Sequence, residues 1–214
     1  MSRILTAPLD SLLFWTVTNG SVTIQSTIAR TGPNSMQANT IANIILLTHP
    51  VHPIAAGVQW FTQFGLYVAS TPSENLSLVS LSSSGVSYPV AIGLRTDLGL
   101  TLLDGTSTEI GSPSGPISLN TWYYVEMSYN FDDGAISGRV DGVEFASGTT
   151  DASISVNLIS IGVYDLPNGN GANADLYYDD IIVNNSNGSV DNTWPGGAGV
   201  PSVIVSLNSL ALPW

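Results

Sequence analysis

Between Leu119 and Gly142 the chain has little choice but antiparallel β-structure. The run Trp122-Tyr123-Tyr124-Val125-Glu126-Met127-Ser128-Tyr129 is rich in the aromatic and β-branched residues that fit a pleated, half-buried surface. Asp132-Asp133-Gly134 follows at once, and Asp and Gly tolerate the positive φ angles of a tight reversal. Ala135 to Val140 forms a second short strand. Asp141-Gly142 then turns the chain again, into Val143-Glu144-Phe145. These residues predict a hairpin extended into a meander.

The same alternation runs through the rest of the sequence. Thr16-Val17-Thr18 leads to an Asn19-Gly20 turn and the alternating strand Ser21 to Ile28, and Thr31-Gly32-Pro33-Asn34 turns again. Residues 41–54 are apolar but broken by Pro50 and Pro53, beside His49 and His52, which read as ordinary loop histidines. Gly57 to Ser70 reads as a long strand pair or a bulged strand, with Gly65 as the expected bulge. Further strands are expected at Leu76 to Leu81, Val90 to Leu94, Leu98 to Leu103, Ala152 to Val163 and Asp175 to Val183. No 3.6-residue apolar repeat lasts long enough for a helix. Strands at intervals of roughly 8–12 residues with Gly/Asn/Asp turns predict a sandwich or barrel. The expected organisation is an N-terminal arm or first strand (1–15), a sandwich domain (16–187) and a C-terminal extension (188–214).

Charge narrows the partners. Only 9% of residues are charged, and the formal net charge is −12. The four basic residues are all arginines (Arg3, Arg30, Arg95, Arg139). Four scattered arginines cannot build a basic patch, so nucleic acid is excluded as a partner, and an anionic membrane surface with it. No apolar run approaches the roughly 18 residues of a membrane span, so no membrane insertion is expected. With no cysteine there is neither a disulfide framework nor a thiolate metal site. Pro8 and Asp10 interrupt the apolar start, so no secretory signal is expected.

The Thr121-Trp122-Tyr123 strand, the acidic-Gly hairpin, the Asp141-Gly142 turn, Ile161-Gly162 and the closing Tyr178-Asp179-Asp180-Ile181-Ile182-Val183 stand in an order that resembles laminin G-like domains of the concanavalin A-like superfamily. The resemblance covers roughly residues 57–187. It implies an all-β, antiparallel two-sheet jelly-roll sandwich, here with extended N- and C-terminal arms. The segment from Asn184 to Gly197, with Asn192-Thr193-Trp194-Pro195, resembles the tail that follows this strand in tailed-phage virion proteins of the same fold, although Gly196-Gly197 stands where Gly-Asp is usual.

Candidate site residues follow from that frame. Jelly-roll glucanases carry acidic residues at alternate positions of one strand, a pattern missing here. Glu126 is the one carboxylate in its strand and Glu144 stands apart, so no catalytic residue is assigned. Tyr123 and Tyr177 are candidates for stacking on a glycan. The central strand is apolar in both parities, which predicts that its outer face is covered by a loop, an arm or another chain. Asp179 and Asp180 are not turn residues. They are the candidate oxygen ligands for calcium, although no cofactor is required, and one of them is expected to anchor a loop through backbone N–H groups. Leu12, Phe14 and Trp15 at one end, with Val203, Val205, Leu207, Leu210, Leu212 and Trp214 at the other, are apolar and candidate partner-binding residues. Without lysine, sheet edges also lack their usual charged protection.

Two functions compete at this point. One is a non-enzymatic structural protein of a phage particle, exposed on the virion surface. It would be a capsid decoration or cement subunit, or a tail or fibre-associated one, binding other virion proteins, forming homo-oligomers and touching cell-surface glycan. The other is a carbohydrate-binding module or adhesin, calcium-assisted in one version.

Overall fold

A computed structural model describes residues 3–7, 15–19, 22–40, 45–50, 58–82, 90–150, 156–165, 173–187 and 193–195. The strands are β1 (Arg3–Ala7), β2 (Thr16–Asn19), β3 (Thr23–Gln25), β4 (Ser35–Thr40), β5 (Ile45–Pro50), β6 (Gln59–Val68), β7 (Leu76–Ser82) and β8 (Val90–Leu94). They continue as β9 (Leu100–Asp104), β10 (Glu109–Ile110), β11 (Trp122–Asn130), β12 (Ala135–Val140), β13 (Val143–Thr149), β14 (Leu158–Asp165) and β15 (Ala174–Asn185). No helix occurs among the described residues.

Two antiparallel sheets face each other. The larger has the order β13-β12-β11-β6-β15-β4-β3, with β1 also paired to β15, and the smaller runs β10-β9-β8-β7-β14-β5-β2. Most neighbours in the sheets are distant in sequence, the hallmark of a jelly roll rather than a simple meander. The twelve-residue β15 serves β4 with its first half and β1 with its second, so residues 3–7 form a strand of the sheet.

The alternation of β11 is resolved. Val125, Met127 and Tyr129 point into the core, together with Trp60, Phe64, Leu66, Tyr178 and Val183 from the same sheet and Leu78, Ile92, Leu102 and Ile161 from the other. Trp122, Tyr124, Glu126 and Ser128 therefore face outward. The Tyr178 hydroxyl, fully buried, donates to the Gly162 carbonyl at 2.7 Å, and burial pushes its pKa far up.

The expected bulge at Gly65 is not there: β6 pairs with β11 in unbroken register from Gln59 to Tyr67. The register shift falls instead at Asp179–Ile182 of β15, where Asp180 adopts φ +51°. At the meander tip, Asp141 (φ +49°) and Gly142 (φ +79°) supply the two positive angles of the expected tight turn. Trp15 is also not where it was expected. It is 7% exposed and belongs to the chain's own core, because its indole buries more apolar area there than an arm could offer. That removes it from the partner-binding candidates. Leu12, Phe14, Val203, Val205, Leu207, Leu210, Leu212 and Trp214 lie outside the described residues.

Candidate functional site

Strand register lays the outward side chains of the larger sheet in cross-strand rows. The first is Trp122–Tyr67–Tyr177–Gln37, and the second Tyr124–Gly65–Asp179. The third is Arg139–Glu126–Gln63–Ile182, and the fourth Ser137–Ser128–Phe61–Asn184. An outward sheet face is normally a solvated one. Here Tyr124, Phe61, Tyr177 and Ile182 are all buried although none belongs to the core cluster, so this face is covered.

Among the described residues, two segments do the covering. Residues 26–34, between β3 and β4, fold over the face and place the Arg30 guanidinium 3.4 Å above the centre of the Tyr124 ring. Gly65 leaves room for that side chain, since a Cβ there would lie 3.1 Å from Arg30 Cδ and 3.2 Å from the Asp179 carbonyl oxygen. The Gln25 side chain caps the start of the segment, accepting from the Thr27 and Ile28 N–H groups. Over the fourth row lies Trp194. Its ring is 5.3 Å from Phe61 and stacks on the Arg139 guanidinium at 4.0 Å, and Asn184 Nδ2 donates to the Thr193 carbonyl at 3.0 Å.

Asp179 and Asp180 act on the first cover. Asp179 Oδ2 accepts the N–H groups of Arg30 (2.9 Å) and Thr31 (3.1 Å), while Oδ1 accepts the Asp180 N–H at 2.8 Å. Asp180 pairs with Arg30 Nη1 at 3.2 Å and accepts from the Thr31 hydroxyl. The oxygens expected to hold calcium are thus taken up by N–H and O–H donors. Among the described residues no group of three or more His, Cys, Asp or Glu side chains converges on a metal position. Burial pushes the Asp179 carboxyl up to about 7; the N–H donors partly offset this, and the neighbouring Asp180 charge adds to it.

The aromatic row at the upper end of the face is more open. Trp122 and Tyr67 are half-buried, with ring centres 5.4 Å apart, and Tyr177 meets Tyr67 edge-on at 5.5 Å. The Tyr67 hydroxyl donates to Asn120 Oδ1 at 3.2 Å. Tyr177, one of the two expected glycan contacts, is in this row but largely covered, and its hydroxyl accepts from Gln37. Tyr123, the other, faces inward against the core, and its hydroxyl accepts the Ser118 N–H. The outward aromatics are its neighbours Trp122 and Tyr124. The wrong tyrosine was expected because both parities of β11 are apolar.

The third row was not anticipated at all. Glu126 is 1% exposed, and neither carboxylate oxygen has a hydrogen-bond partner in the protein. Gln63 Oε1, Asn184 Oδ1, Arg139 Nε and, one row away, Arg30 Nε are buried without partners too. Burial raises the Glu126 pKa, the Arg139 charge opposes this and Asp141 adds to it. A buried polar atom without a partner costs on the order of 1–3 kcal/mol, so six gathered on one face are a feature to be accounted for. The signal lay in Gln63 and Glu126, polar residues in the middle of two aromatic strands.

No family model matches the sequence, and no curated protein sequence matches it significantly. The chain is similar in structure to the cellulose-induced protein Cip1, with 12% identity and a TM-score of 0.64 over 90% of this chain and all of that one. It is similar to the globular domain of T. cruzi calreticulin, with 10% identity and a TM-score of 0.61, covering 85% of this chain and 87% of that one. A third likeness is to botulinum neurotoxin type C, whose cell entry depends on interaction with two ganglioside molecules. That match has 12% identity and a TM-score of 0.57, over 86% of this chain and 47% of the toxin chain. The likeness shows the two-sheet jelly-roll sandwich fold and nothing finer.

Proposed function

We propose that this chain is a carbohydrate-binding domain that receives its ligand on the outer face of the larger sheet. The observation that carries the reading is the half-open Trp122–Tyr67 row beside a face rich in unsatisfied hydrogen-bonding atoms. Flat rings with polar edges accept the apolar face of a sugar, and nearby acceptors take its hydroxyls. The gangliosides named for the neurotoxin, and the cellulose that induces Cip1, are in keeping with saccharide chemistry on this fold. Fold alone does not carry function, so the site residues bear the weight.

Binding is favoured over cleavage. Glycoside hydrolysis needs two carboxyl groups about 5–9.5 Å apart across a sugar. Of the outward carboxyl groups besides Glu126, Glu144 lies two strands from it in the same row and is engaged by the Ser137 and Ser147 hydroxyls, both of which donate to it. Asp179 is moreover held by three N–H donors. The virion reading rests on the apolar ends, of which Trp15 is in the core and the others lie outside the described residues, and on the resemblance of the Asn184–Gly197 tail, whose Trp194 packs on the chain's own Phe61; it takes second place.

Screening the chain against immobilised glycans, followed by calorimetry on the best binder, tests the proposal. W122A is expected to weaken binding at least 10-fold with the melting temperature unchanged and no sugar cleaved. A W122A/Y67A double variant that binds like the wild type would contradict it.

A further inference from the structure

Beneath Trp194 the structure holds the ingredients of a second, closed subsite. The unpartnered atoms in rows three and four are four acceptors (Glu126 Oε1 and Oε2, Gln63 Oε1, Asn184 Oδ1) and one donor, Arg139 Nε. Glu126, Gln63 and Asn184 are 1%, 3% and 1% exposed. They come from β11, β6 and β15, adjacent strands whose register brings the three side chains together on one face. Phe61 supplies the apolar floor beside them.

The donor–acceptor balance selects the ligand class. Four buried acceptors, two of them on the Glu126 carboxyl group, disfavour an anion. A bare cation would suit the acceptors but stand against the Arg139 guanidinium, and too few charged ligands converge to hold one. A ring carrying several hydroxyls donates to acceptors and still accepts from one N–H, which is a neutral sugar. The present occupant, the Trp194 indole, offers one N–H donor and no acceptor, so it fills the space without matching the chemistry below it.

We infer that the Glu126–Gln63–Arg139–Asn184 cluster is a neutral-sugar subsite and that Trp194 is its displaceable cover, standing where a sugar ring sits when ligand is bound. The inference rests on the carbohydrate-binding reading and extends the ligand from the Trp122–Tyr67 row down the same face. The described contacts of residues 193–195 include the hydrogen bond from Asn184 Nδ2 to the Thr193 carbonyl, the ring contact with Phe61 and the Arg139 stack, and displacing Trp194 breaks the last two.

Calorimetric titration of the full chain with neutral trisaccharides (β-1,4-linked glucose, β-1,4-linked mannose and β-1,3-linked glucose) tests it, with melting curves confirming that each variant is folded. W194A is expected to bind the preferred trisaccharide at least 10-fold more tightly than the wild type, because nothing competes for the subsite. E126Q, which keeps the volume but replaces one acceptor with a donor, is expected to bind at least 10-fold more weakly, in both backgrounds. W194L, an apolar cover without the indole, serves if W194A fails to fold and is expected to lie between wild type and W194A. Equal affinity of wild type, W194A and E126Q overturns the subsite while leaving the Trp122–Tyr67 row intact, since W122A then still weakens binding. No binding of any neutral trisaccharide by any variant overturns both readings.

Discussion

Asp179 joins two parts of the chain 148 and 149 residues apart, through the N–H groups of Thr31 and Arg30. Its position explains an acid in the middle of a strand whose neighbours are aromatic or aliphatic. Replacing it with Asn turns one acceptor into a donor facing N–H groups, and an unsatisfied buried partner costs about 1–3 kcal/mol. D179N is therefore expected to lower the urea midpoint and to release residues 26–34. Trypsin reads the release directly, because with no lysine its only sites are the four arginines, and cleavage after Arg30 should become fast. The same group sets a pH dependence. Folded Asp179 keeps its proton up to about pH 7, whereas the ordinary value is 3.8, so the folded state binds the extra proton between those limits. Its contribution to stability is fully present below about pH 4 and is lost as the pH rises through 7. Glu126, also raised by burial, acts with the same sign. Melting temperature is expected to rise between pH 8 and pH 6, by at most about 1.4 kcal/mol of stability per pH unit per proton, and less steeply in D179N. A flat profile in the wild type would contradict the assignment.

At the scale of elements, the covering segment and the sheet beneath it are fitted to each other. Residues 26–34 reach from the β3–β4 end of the sheet to β11, and Arg30 can lie flat only because Gly65 presents no side chain. A β-branched residue suits a strand, and replacing glycine recovers about 0.5–1 kcal/mol of backbone entropy. Valine methyls in a gap of 3.1–3.5 Å to Arg30, Trp122 and the Asp179 carbonyl cost more, about 1–3 kcal/mol. G65V should lower the denaturation midpoint with an unchanged m-value and lift Arg30 from Tyr124; an unchanged or higher midpoint would show slack in this contact. The strands themselves were legible in the sequence, because the alternation of Ile154 to Val163 or Leu98 to Leu103 and turns such as Asp141-Gly142 are local signals. Two element-level features were not. Gly65 looks like a bulge to any one-strand reading, since the Arg30 that needs the space is 35 positions away. Asp180 carries the bulge: Asp tolerates a positive φ, but the strand-like residues around it, Tyr177-Tyr178 and Ile181-Ile182-Val183, hide the irregularity.

At the scale of the molecule, the described residues form a two-sheet sandwich, and one outer face is covered by the chain's own Arg30 and Trp194. The core is specified by alternation, which by itself predicts a sandwich or barrel; the two-sheet jelly roll was expected from the resemblance to laminin G-like domains. The candidate site is an assembly of Glu126, Gln63, Arg139, Asn184 and Trp194, single residues from four strands and a distal segment. In sequence Glu126 looks solitary; only sheet register gives it neighbours. Of the two tyrosines named as glycan contacts, Tyr177 faces outward and Tyr123 inward, a difference the sequence hides because β11 reads as apolar either way. The expectation that this outer face would be covered is met by the chain itself, through Arg30 and Trp194.

The central claim is that sugar is recognised on the outer face of the larger sheet and nowhere else. Side-chain and backbone chemical-shift mapping of the labelled chain during titration with its preferred oligosaccharide tests it most directly. Shifts are expected at Tyr67, Trp122 and Tyr124, followed by Gln63, Glu126 and Trp194, with β7, β8 and β9 of the opposite sheet silent. Shifts clustered on the smaller sheet or along its edges, with Trp122 and Glu126 unmoved, would contradict the account.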